Sequence, residues 1–156
     1  MNAVYQTLIH SPIGPLLLTA NEDALTDIFF DGELIGEENL NQVLRKAIIQ
    51  LKEYFDGKRK MFDISLEPEG TDFQKSVWQA LQTIEFGKRI SYTQLSRQMK
   101  NLLAIRAIAS ANGKNPIPII IPCHRVVGSK GELVGFSGGL WRKQFLLELE
   151  SPTLFS

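Results

Sequence analysis

This 156-residue sequence contains few residues that can act as nucleophiles or metal ligands through sulfur or imidazole. Cys123 is the only cysteine, and there are two histidines. A single cysteine excludes an intramolecular disulfide and favours a reducing compartment, so we expect a cytoplasmic protein. One cysteine and two histidines also fall short of the ligand set of a structural zinc site. We therefore expect no bound metal and no cofactor.

Long hydrophobic runs are absent as well. No apolar stretch approaches the roughly 20 residues that span a bilayer, and residues 1–6 lack the pattern of a secretory signal. We therefore expect no membrane association. The composition, 44% hydrophobic and 22% charged residues, is globular and excludes global disorder.

Acidic residues are scarce in the second half of the chain. Residues 1–70 contain 12 acidic and six basic residues, a net charge of −6, whereas residues 71–156 contain five acidic and 11 basic residues, a net charge of +6. Between Glu85 and Glu132 there is no acidic residue, but there are eight basic ones: Lys88, Arg89, Arg97, Lys100, Arg106, Lys114, Arg125 and Lys130. This stretch fits either a solvated basic face or a surface for a polyanion, most naturally nucleic acid.

The first half reads as a small α/β unit. Short strands are predicted within residues 3–35, over the apolar runs Ile13–Thr19 and Leu25–Phe30. Residues 38–56 carry apolar side chains at helical spacing and predict an amphipathic helix. A polar stretch at residues 66–70 follows, where the charge balance changes sign. We therefore expect two domains, residues 1–68 and residues 69–156.

The second half reads as mostly helical. Thr71 with Gln74, and Ser91 with Gln94, match capping boxes that begin two helices. A third helix is predicted from about Leu103 to Asn112, and a last one from about Leu140 to Glu150. The two short central helices with a brief link suggest a helix-turn-helix, although many helical pairs share this pattern.

A proline-punctuated run, Ile117–Pro122, leads to the only cysteine. Proline donates no ladder hydrogen bond, so we expect an edge or half-paired strand, stiff and extended. A lone cysteine is commonly a small buried hydrophobe. The flanking His124 and Arg125 instead favour a reactive thiolate. In an extended backbone adjacent side chains point to opposite faces, so His124 would need a water or a bend to take the Cys123 proton.

The segment from Asn115 to Gly128, NPIPIIIPCHRVVG, closely resembles the active-site signature of the methylated-DNA–protein-cysteine methyltransferases, also called O6-alkylguanine-DNA alkyltransferases. The resemblance runs from about Thr71 to Glu150, and residues 1–68 match only in outline. It includes four further blocks in the same order: residues 87–92 (GKRISY), Arg106-Ala107, residues 136–140 (FSGGL) and residues 146–150 (LLELE).

The resemblance implies a fold and an activity. The fold is an α/β N-terminal domain, a small antiparallel sheet plus a helix, followed by a mainly helical, winged-helix-like C-terminal domain with a helix-turn-helix. The activity is DNA repair: a monomer binds double-stranded DNA, flips out an O6-alkylguanine, and transfers the alkyl group irreversibly to Cys123. O4-alkylthymine is expected as a second substrate.

The same resemblance implies residue roles. Glu150 would orient His124, with a water between His124 and Cys123. Arg106 would fill the base stack after the flipped nucleotide leaves, which suits a delocalised cation. Tyr92 would help push the nucleotide out and contact the flipped base, and Asn115 would be the hinge between helix and strand. Ser137 would lie near guanine O6. The carbonyl of Val126, together with that of Cys123, would accept hydrogen bonds from the guanine amine.

Departures from the family pattern and two alternative functions stay open at this stage. Residues 100–103, Lys-Asn-Leu-Leu, replace the Gly-x-Pro link usual between the two central helices. Non-catalytic relatives replace the cysteine, and Cys123 argues against that class. A DNA-binding module with an incidental cysteine would gain no mass from alkylated DNA. A Cys–His hydrolase would turn over, and no Gly-x-Cys-x-Gly elbow is present.

Overall fold

The computed structural model describes residues 4–151, and the chain divides into two compact units, one ending at Glu69 and the other beginning at Gly70. Each unit has its own set of buried apolar side chains. Within the described range, none of the helices combines the length and apolar character needed to traverse a bilayer.

The first unit contains a three-stranded antiparallel sheet of β1 (Tyr5–Ser11), β2 (Gly14–Ala20) and β3 (Leu25–Phe30), in that order. Ser11 pairs with Gly14 at the tight turn between β1 and β2. Gly14 has a φ of 97° there, which glycine adopts without a steric penalty. The strands predicted from the two apolar runs are therefore confirmed.

Helix α1 (Gln42–Phe55) packs on this sheet and confirms the amphipathic helix predicted from the periodicity. It begins at Asn41, whose side-chain oxygen accepts a hydrogen bond from the Leu44 amide at 3.0 Å. The apolar stripe of the helix is buried against the sheet, and the core consists of Leu44, Ala47, Leu51 and Tyr54 from the helix with Leu16, Leu18, Leu25 and Ile28 from the strands.

The second unit is mostly helical, with α2 (Asp72–Leu81), α3 (Tyr92–Gln98), α4 (Ile105–Gly113) and α5 (Leu140–Glu150). Both predicted capping boxes are present, at Thr71 and Ser91. Two short parallel strands, β4 (Ile90–Ser91) and β5 (Val126–Val127), join the start of α3 to the segment that follows Cys123.

Trp78 of α2 connects that helix to α4. Its side chain is 1% exposed, and its indole nitrogen donates to the Ala111 carbonyl at 2.8 Å. Burial of an indole of this size, with its one polar atom hydrogen-bonded, contributes strongly to the core. This contact fixes the last turn of α4, which leads into the segment that carries Cys123.

The turn between α3 and α4 preserves the helix pair although its sequence departs from the family pattern. Lys100 adopts a φ of 56°, and the Asn101 amide donates to the Ser96 carbonyl at 2.9 Å, which closes the end of α3. A short 3-10 turn, Leu102–Ala104, then leads into α4. A non-glycine residue in this left-handed region carries a steric cost of about 1–2 kcal/mol.

The strand predicted over Ile117–Pro122 is wrong. The segment is a buried turn, in which the Ile121 amide donates to the Ile117 carbonyl at 2.9 Å and Ile119 has a φ of 75°. Pro118 and Pro122 within the segment, and Pro116 just before it, have no amide hydrogen to donate, so a continuous ladder cannot form here. The side chain of Asn115 instead bonds the backbone at both ends of the turn, accepting from the Ile117 amide at 2.9 Å and donating to the Ile121 carbonyl at 2.7 Å.

Candidate active site

Cys123 begins a short 3-10 turn, Cys123–Arg125, rather than lying in an extended segment. The Arg125 amide donates to the Pro122 carbonyl at 3.1 Å, which supplies the bend that an extended backbone would lack. Cys123 is a free thiol and only 3% exposed. The cysteine singled out from the sequence therefore lies in a turn and not in an extended segment.

The thiol of Cys123 is not predisposed to ionise, contrary to the expectation drawn from its neighbouring cations. Burial raises its pKa to about 11, although a hydrogen bond from Asn115 and the positive charge of Lys143 act in the opposite direction. The guanidinium of Arg125 is bonded to Glu150, and burial is the dominant influence on the thiol. At neutral pH the group is a thiol, and its reaction requires a base.

His124 lies beside the cysteine with its Nε2 atom 2.7 Å from Oε2 of Glu150. Both side chains are almost completely buried. Burial lowers the pKa of His124, against the hydrogen bond and charge of Glu150, so the imidazole is neutral. The ionised carboxylate can only accept, which places the ring proton on Nε2 and leaves Nδ1 as an acceptor. Nδ1 is buried and has no hydrogen-bond partner among residues 4–151.

Glu150, the last residue of α5, also binds Arg125. Nε of Arg125 donates to Oε1 at 2.8 Å and Nη2 to Oε2 at 3.0 Å, while Nη1 donates to the Ile84 carbonyl at 2.6 Å. Burial would raise the pKa of Glu150, but His124 and Arg125 together hold it down at about 2. The bond between Arg125 and Glu150 was not predicted, because the position of Arg125 beside Cys123 suggests a role toward the sulfur.

Lys143 is a second buried cation that sequence reasoning missed. Its side chain is completely buried in α5, and Nζ donates to the carbonyls of Val126 at 2.6 Å and Val134 at 2.8 Å. Burial lowers the pKa of Lys143 to about 8, against the influence of Cys123. The ammonium group thereby ties α5 to the strand after Cys123 and to the loop that precedes Ser137.

Tyr92 is connected to Cys123 through a residue that the motifs did not indicate. Asn112, in the last turn of α4, donates from Nδ2 to the Tyr92 hydroxyl at 3.3 Å and to the Cys123 carbonyl at 3.4 Å. Burial raises the pKa of Tyr92, and the hydrogen bond from Asn112 opposes this. The phenol therefore keeps its proton at neutral pH.

The remaining candidate residues are placed differently. Asn115 bonds the backbone of the buried turn, and the Val126 carbonyl accepts from Lys143. Arg106 is exposed near the start of α4, and Ser137 is exposed in the loop before α5. Six of the eight candidates thus belong to the network around Cys123 or bond to it, and Arg106 and Ser137 are exposed residues outside it. No cluster of three or more metal-binding side chains occurs in the described part of the chain.

Two family models match the chain. The model described as "6-O-methylguanine DNA methyltransferase, ribonuclease-like domain" matches residues 4–68, and the one described as "6-O-methylguanine DNA methyltransferase, DNA binding domain" matches residues 72–152. The chain is 45% identical to the methylated-DNA–protein-cysteine methyltransferase of Methanosarcina barkeri, over 97% of this chain and 99% of the relative.

The chain belongs to the methylated-DNA–protein-cysteine methyltransferase family. A second member, from Mycobacterium leprae, is 44% identical over 90% of this chain and 88% of its own length. Among solved structures of the family, Mycobacterium tuberculosis OGT in complex with DNA has a TM-score of 0.86 and 42% identity, covering 94% of this chain and 92% of that one. The O6-methylguanine DNA methyltransferase of Methanococcus jannaschii has a TM-score of 0.70 and 31% identity, with 96% of each chain covered.

The methyltransferase fold agrees with the fold class predicted from the sequence. A small antiparallel sheet with one helix comes first, and a helical DNA-binding domain follows. Family membership also explains the excess of basic residues in the second half, because a DNA-binding domain uses Lys and Arg side chains to neutralise phosphate groups.

Proposed function

We propose that the protein repairs O6-alkylguanine in double-stranded DNA by moving the alkyl group onto Cys123. The observation that carries this proposal is the position of the chain's only cysteine, in a buried turn beside a neutral imidazole that is bonded to an ionised carboxylate. Family membership supports the reaction class, and the geometry supports Cys123 as the nucleophile and His124 as its base.

The transfer is a displacement at the alkyl carbon. Sγ of Cys123 forms a bond to that carbon while its bond to O6 of guanine breaks. Because the pKa of the thiol is about 11, a base must take its proton, and the unpartnered Nδ1 of His124 is available to do so. We propose that a water connects Nδ1 to the thiol. The departing guanine takes up a proton and leaves as the normal base, while the imidazolium of His124 gives the thiol's proton up to water, so that protons balance.

Glu150 makes His124 a better base. The carboxylate fixes the tautomer and stabilises the imidazolium that forms as the thiol loses its proton. Arg125 keeps Glu150 ionised throughout, since a guanidinium does not deprotonate in proteins. The thioether product is stable, so each chain reacts once.

The alkylated base must leave the helix to reach a buried thiol. Unstacking costs a few kcal/mol, which a residue entering the stack can offset. We assign this role to Arg106, which is exposed near the start of α4, and the contact with the extruded nucleotide to Tyr92. Asn115 would hold α4 to the active-site turn, and Ser137 would lie near guanine O6. The carbonyls of Cys123 and Val126 would accept from the guanine amine.

Three finer assignments belong to the same proposal. The protein acts in the cytoplasm, as the single free cysteine suggests. It acts as a monomer, and it accepts O4-alkylthymine as well as O6-alkylguanine.

The test uses a duplex that carries a labelled methyl group on O6 of one guanine. We expect label to move from DNA to protein with the wild type and none to move with Cys123→Ser. Both proteins should bind the duplex with similar affinity, because the thiol is buried and contributes little to DNA binding. Transfer by Cys123→Ser at the wild-type rate would overturn the assignment of the acceptor.

A further inference from the structure

The side chain of Asn112 bonds both Tyr92 and the backbone of Cys123. It lies in the last turn of α4, is 2% exposed, and directs Nδ2 at the Tyr92 hydroxyl and at the Cys123 carbonyl. Its Oδ1 atom is also buried and has no hydrogen-bond partner in the described range. A buried unpartnered acceptor costs about 1–3 kcal/mol, so this position is an unfavourable one for an amide on stability grounds alone.

The orientation of the amide follows from its neighbours. The carbonyl of Cys123 can only accept a hydrogen bond, so the amide must turn its NH2 group, and not its oxygen, toward that atom. The second hydrogen of the same group then reaches the Tyr92 oxygen. Reversing the amide would place two acceptor oxygens against each other.

This arrangement decides what the Tyr92 hydroxyl can do. A tyrosine hydroxyl has one hydrogen to donate and lone pairs with which to accept. Because Asn112 offers only hydrogens here, Tyr92 must accept from it, and its own hydrogen points elsewhere. That hydrogen is therefore available to an acceptor atom on a molecule bound beside Cys123.

We propose that Asn112 is a positioning residue. Its one hydrogen bond makes the Tyr92 hydroxyl a donor toward the departing base, and its other one holds the Cys123 backbone at a fixed distance from that hydroxyl. The inference rests on the proposed function, because it requires a base to leave the site. Asn112 and Arg106 lie on the same helix, six residues or about 9 Å apart along its axis. The helix therefore carries one candidate for base extrusion and one group that arranges the donor.

The experiment is a double-mutant cycle on single-turnover alkyl transfer from duplex DNA. Asn112→Leu removes both donated hydrogen bonds, and Tyr92→Phe removes the hydroxyl. If Asn112 acts through Tyr92, each single variant slows transfer about tenfold, and the double variant is no slower than Tyr92→Phe. Ser96→Ala deletes another buried hydroxyl, on the same helix as Tyr92 and bonded only locally to Thr93, and should leave the rate unchanged.

Asn112→Asp provides a second variant of nearly identical shape. A carboxylate would accept the hydrogen of the Tyr92 hydroxyl and repel the Cys123 carbonyl. The Tyr92 hydrogen would then point toward residue 112 and away from the bound base. We expect transfer to slow at least as much as in Asn112→Leu, although the side chain fills the same volume. A wild-type rate in Asn112→Asp would overturn the proposal.

A spectroscopic measurement separates positioning from packing. Since the hydrogen bond from Asn112 lowers the pKa of Tyr92, Asn112→Leu should raise the pH at which Tyr92 ionises. The phenolate absorbance of Tyr92 is obtained by subtracting the titration of Tyr92→Phe. An unchanged midpoint, or rate effects that multiply in the double variant, would contradict the inference. Absence of alkyl transfer to Cys123 in the wild type would instead contradict the proposed function.

Discussion

The guanidinium of Arg125 donates a hydrogen bond to each carboxylate oxygen of Glu150, with Nε 2.8 Å from Oε1 and Nη2 3.0 Å from Oε2. The two side chains are only 8% and 1% exposed, so water screens this pair very little. Oε2 simultaneously binds His124. The carboxylate thus stays charged whether or not His124 carries a second proton, which is the condition for it to stabilise an imidazolium.

Replacing the carboxylate should slow alkyl transfer without abolishing it. Glu150→Gln keeps the shape but removes the negative charge, so we expect a loss of about 10²-fold in single-turnover rate, within the range of general-base catalysis. Glu148→Gln is the matched control, because Glu148 is exposed on the same helix and bonds only Gln144 nearby. If Glu148→Gln slows alkyl transfer and Glu150→Gln transfers at the wild-type rate, the role has been assigned to the wrong carboxylate.

Glu150 should also make the fold sensitive to acid. Its pKa is about 2 in the folded protein, against 4.5 when unperturbed, so between these values the unfolded chain binds more protons. Stability is therefore highest above about pH 4.5 and falls as the pH is lowered toward 2, by about 3 kcal/mol from this group. Urea unfolding at a series of pH values measures the slope.

The control for the acid effect is Glu150→Gln, which has no proton to take up at this position. Its unfolding free energy should be lower at neutral pH, because Arg125 and His124 lose their charged partner. It should also vary less than that of the wild type between pH 4.5 and pH 2. An equal pH dependence in both proteins would show that other carboxylates cause the acid sensitivity.

Arg106 should matter only when a duplex has to be opened. Arg106→Ala is expected to reduce transfer from duplex DNA strongly, and to affect reaction with free O6-benzylguanine far less if that molecule is a substrate. Arg106→Lys should restore little, because an ammonium group cannot stack as a guanidinium does. A plain phosphate contact would give effective rescue by lysine and a change of about one unit in the salt dependence of binding. Equal losses on both substrates would show that Arg106 supports the pocket instead.

The turn between α3 and α4 offers a stabilising substitution. Lys100 has a φ of 56°, so Lys100→Gly removes a steric cost of about 1–2 kcal/mol and adds chain entropy to the unfolded state of about half that size. We expect a net gain of about 0.5–1 kcal/mol in urea unfolding. Lys114→Gly is the control, since Lys114 ends α4 with a φ of −100° and should gain nothing. A loss of stability in Lys100→Gly would mean that the lysine side chain makes a compensating contact.

Local sequence signals predicted the elements that depend on local chemistry. The capping boxes at Thr71 and Ser91 act within four residues, and both helices begin where the boxes placed them. The prolines around Ile119 predict a stiff edge strand, and this prediction is wrong because the composition of a segment does not show whether a partner strand lies beside it. No partner is paired to that segment in the described structure.

The candidate site was predicted in part. Cys123 and His124 were indicated by their residue types and neighbours, and Glu150 by the resemblance. In the structure Nε2 of His124 lies 2.7 Å from Oε2 of Glu150. The raised pKa of Cys123 could not be predicted, because burial depends on residues distant in sequence. The same reason hid the bond from Arg125 to Glu150, 25 residues away, and that from Asn112 to Tyr92, 20 residues away.

The most direct test of alkyl transfer to Cys123 is the mass of the intact protein after mixing with an excess of duplex containing O6-methylguanine. We predict that every reactive chain gains one methyl group in place of one hydrogen, that the gain does not increase with further DNA, and that peptide mapping places it on Cys123. An unchanged mass while the DNA loses its methyl group, or a methyl group on any other residue, would contradict the account.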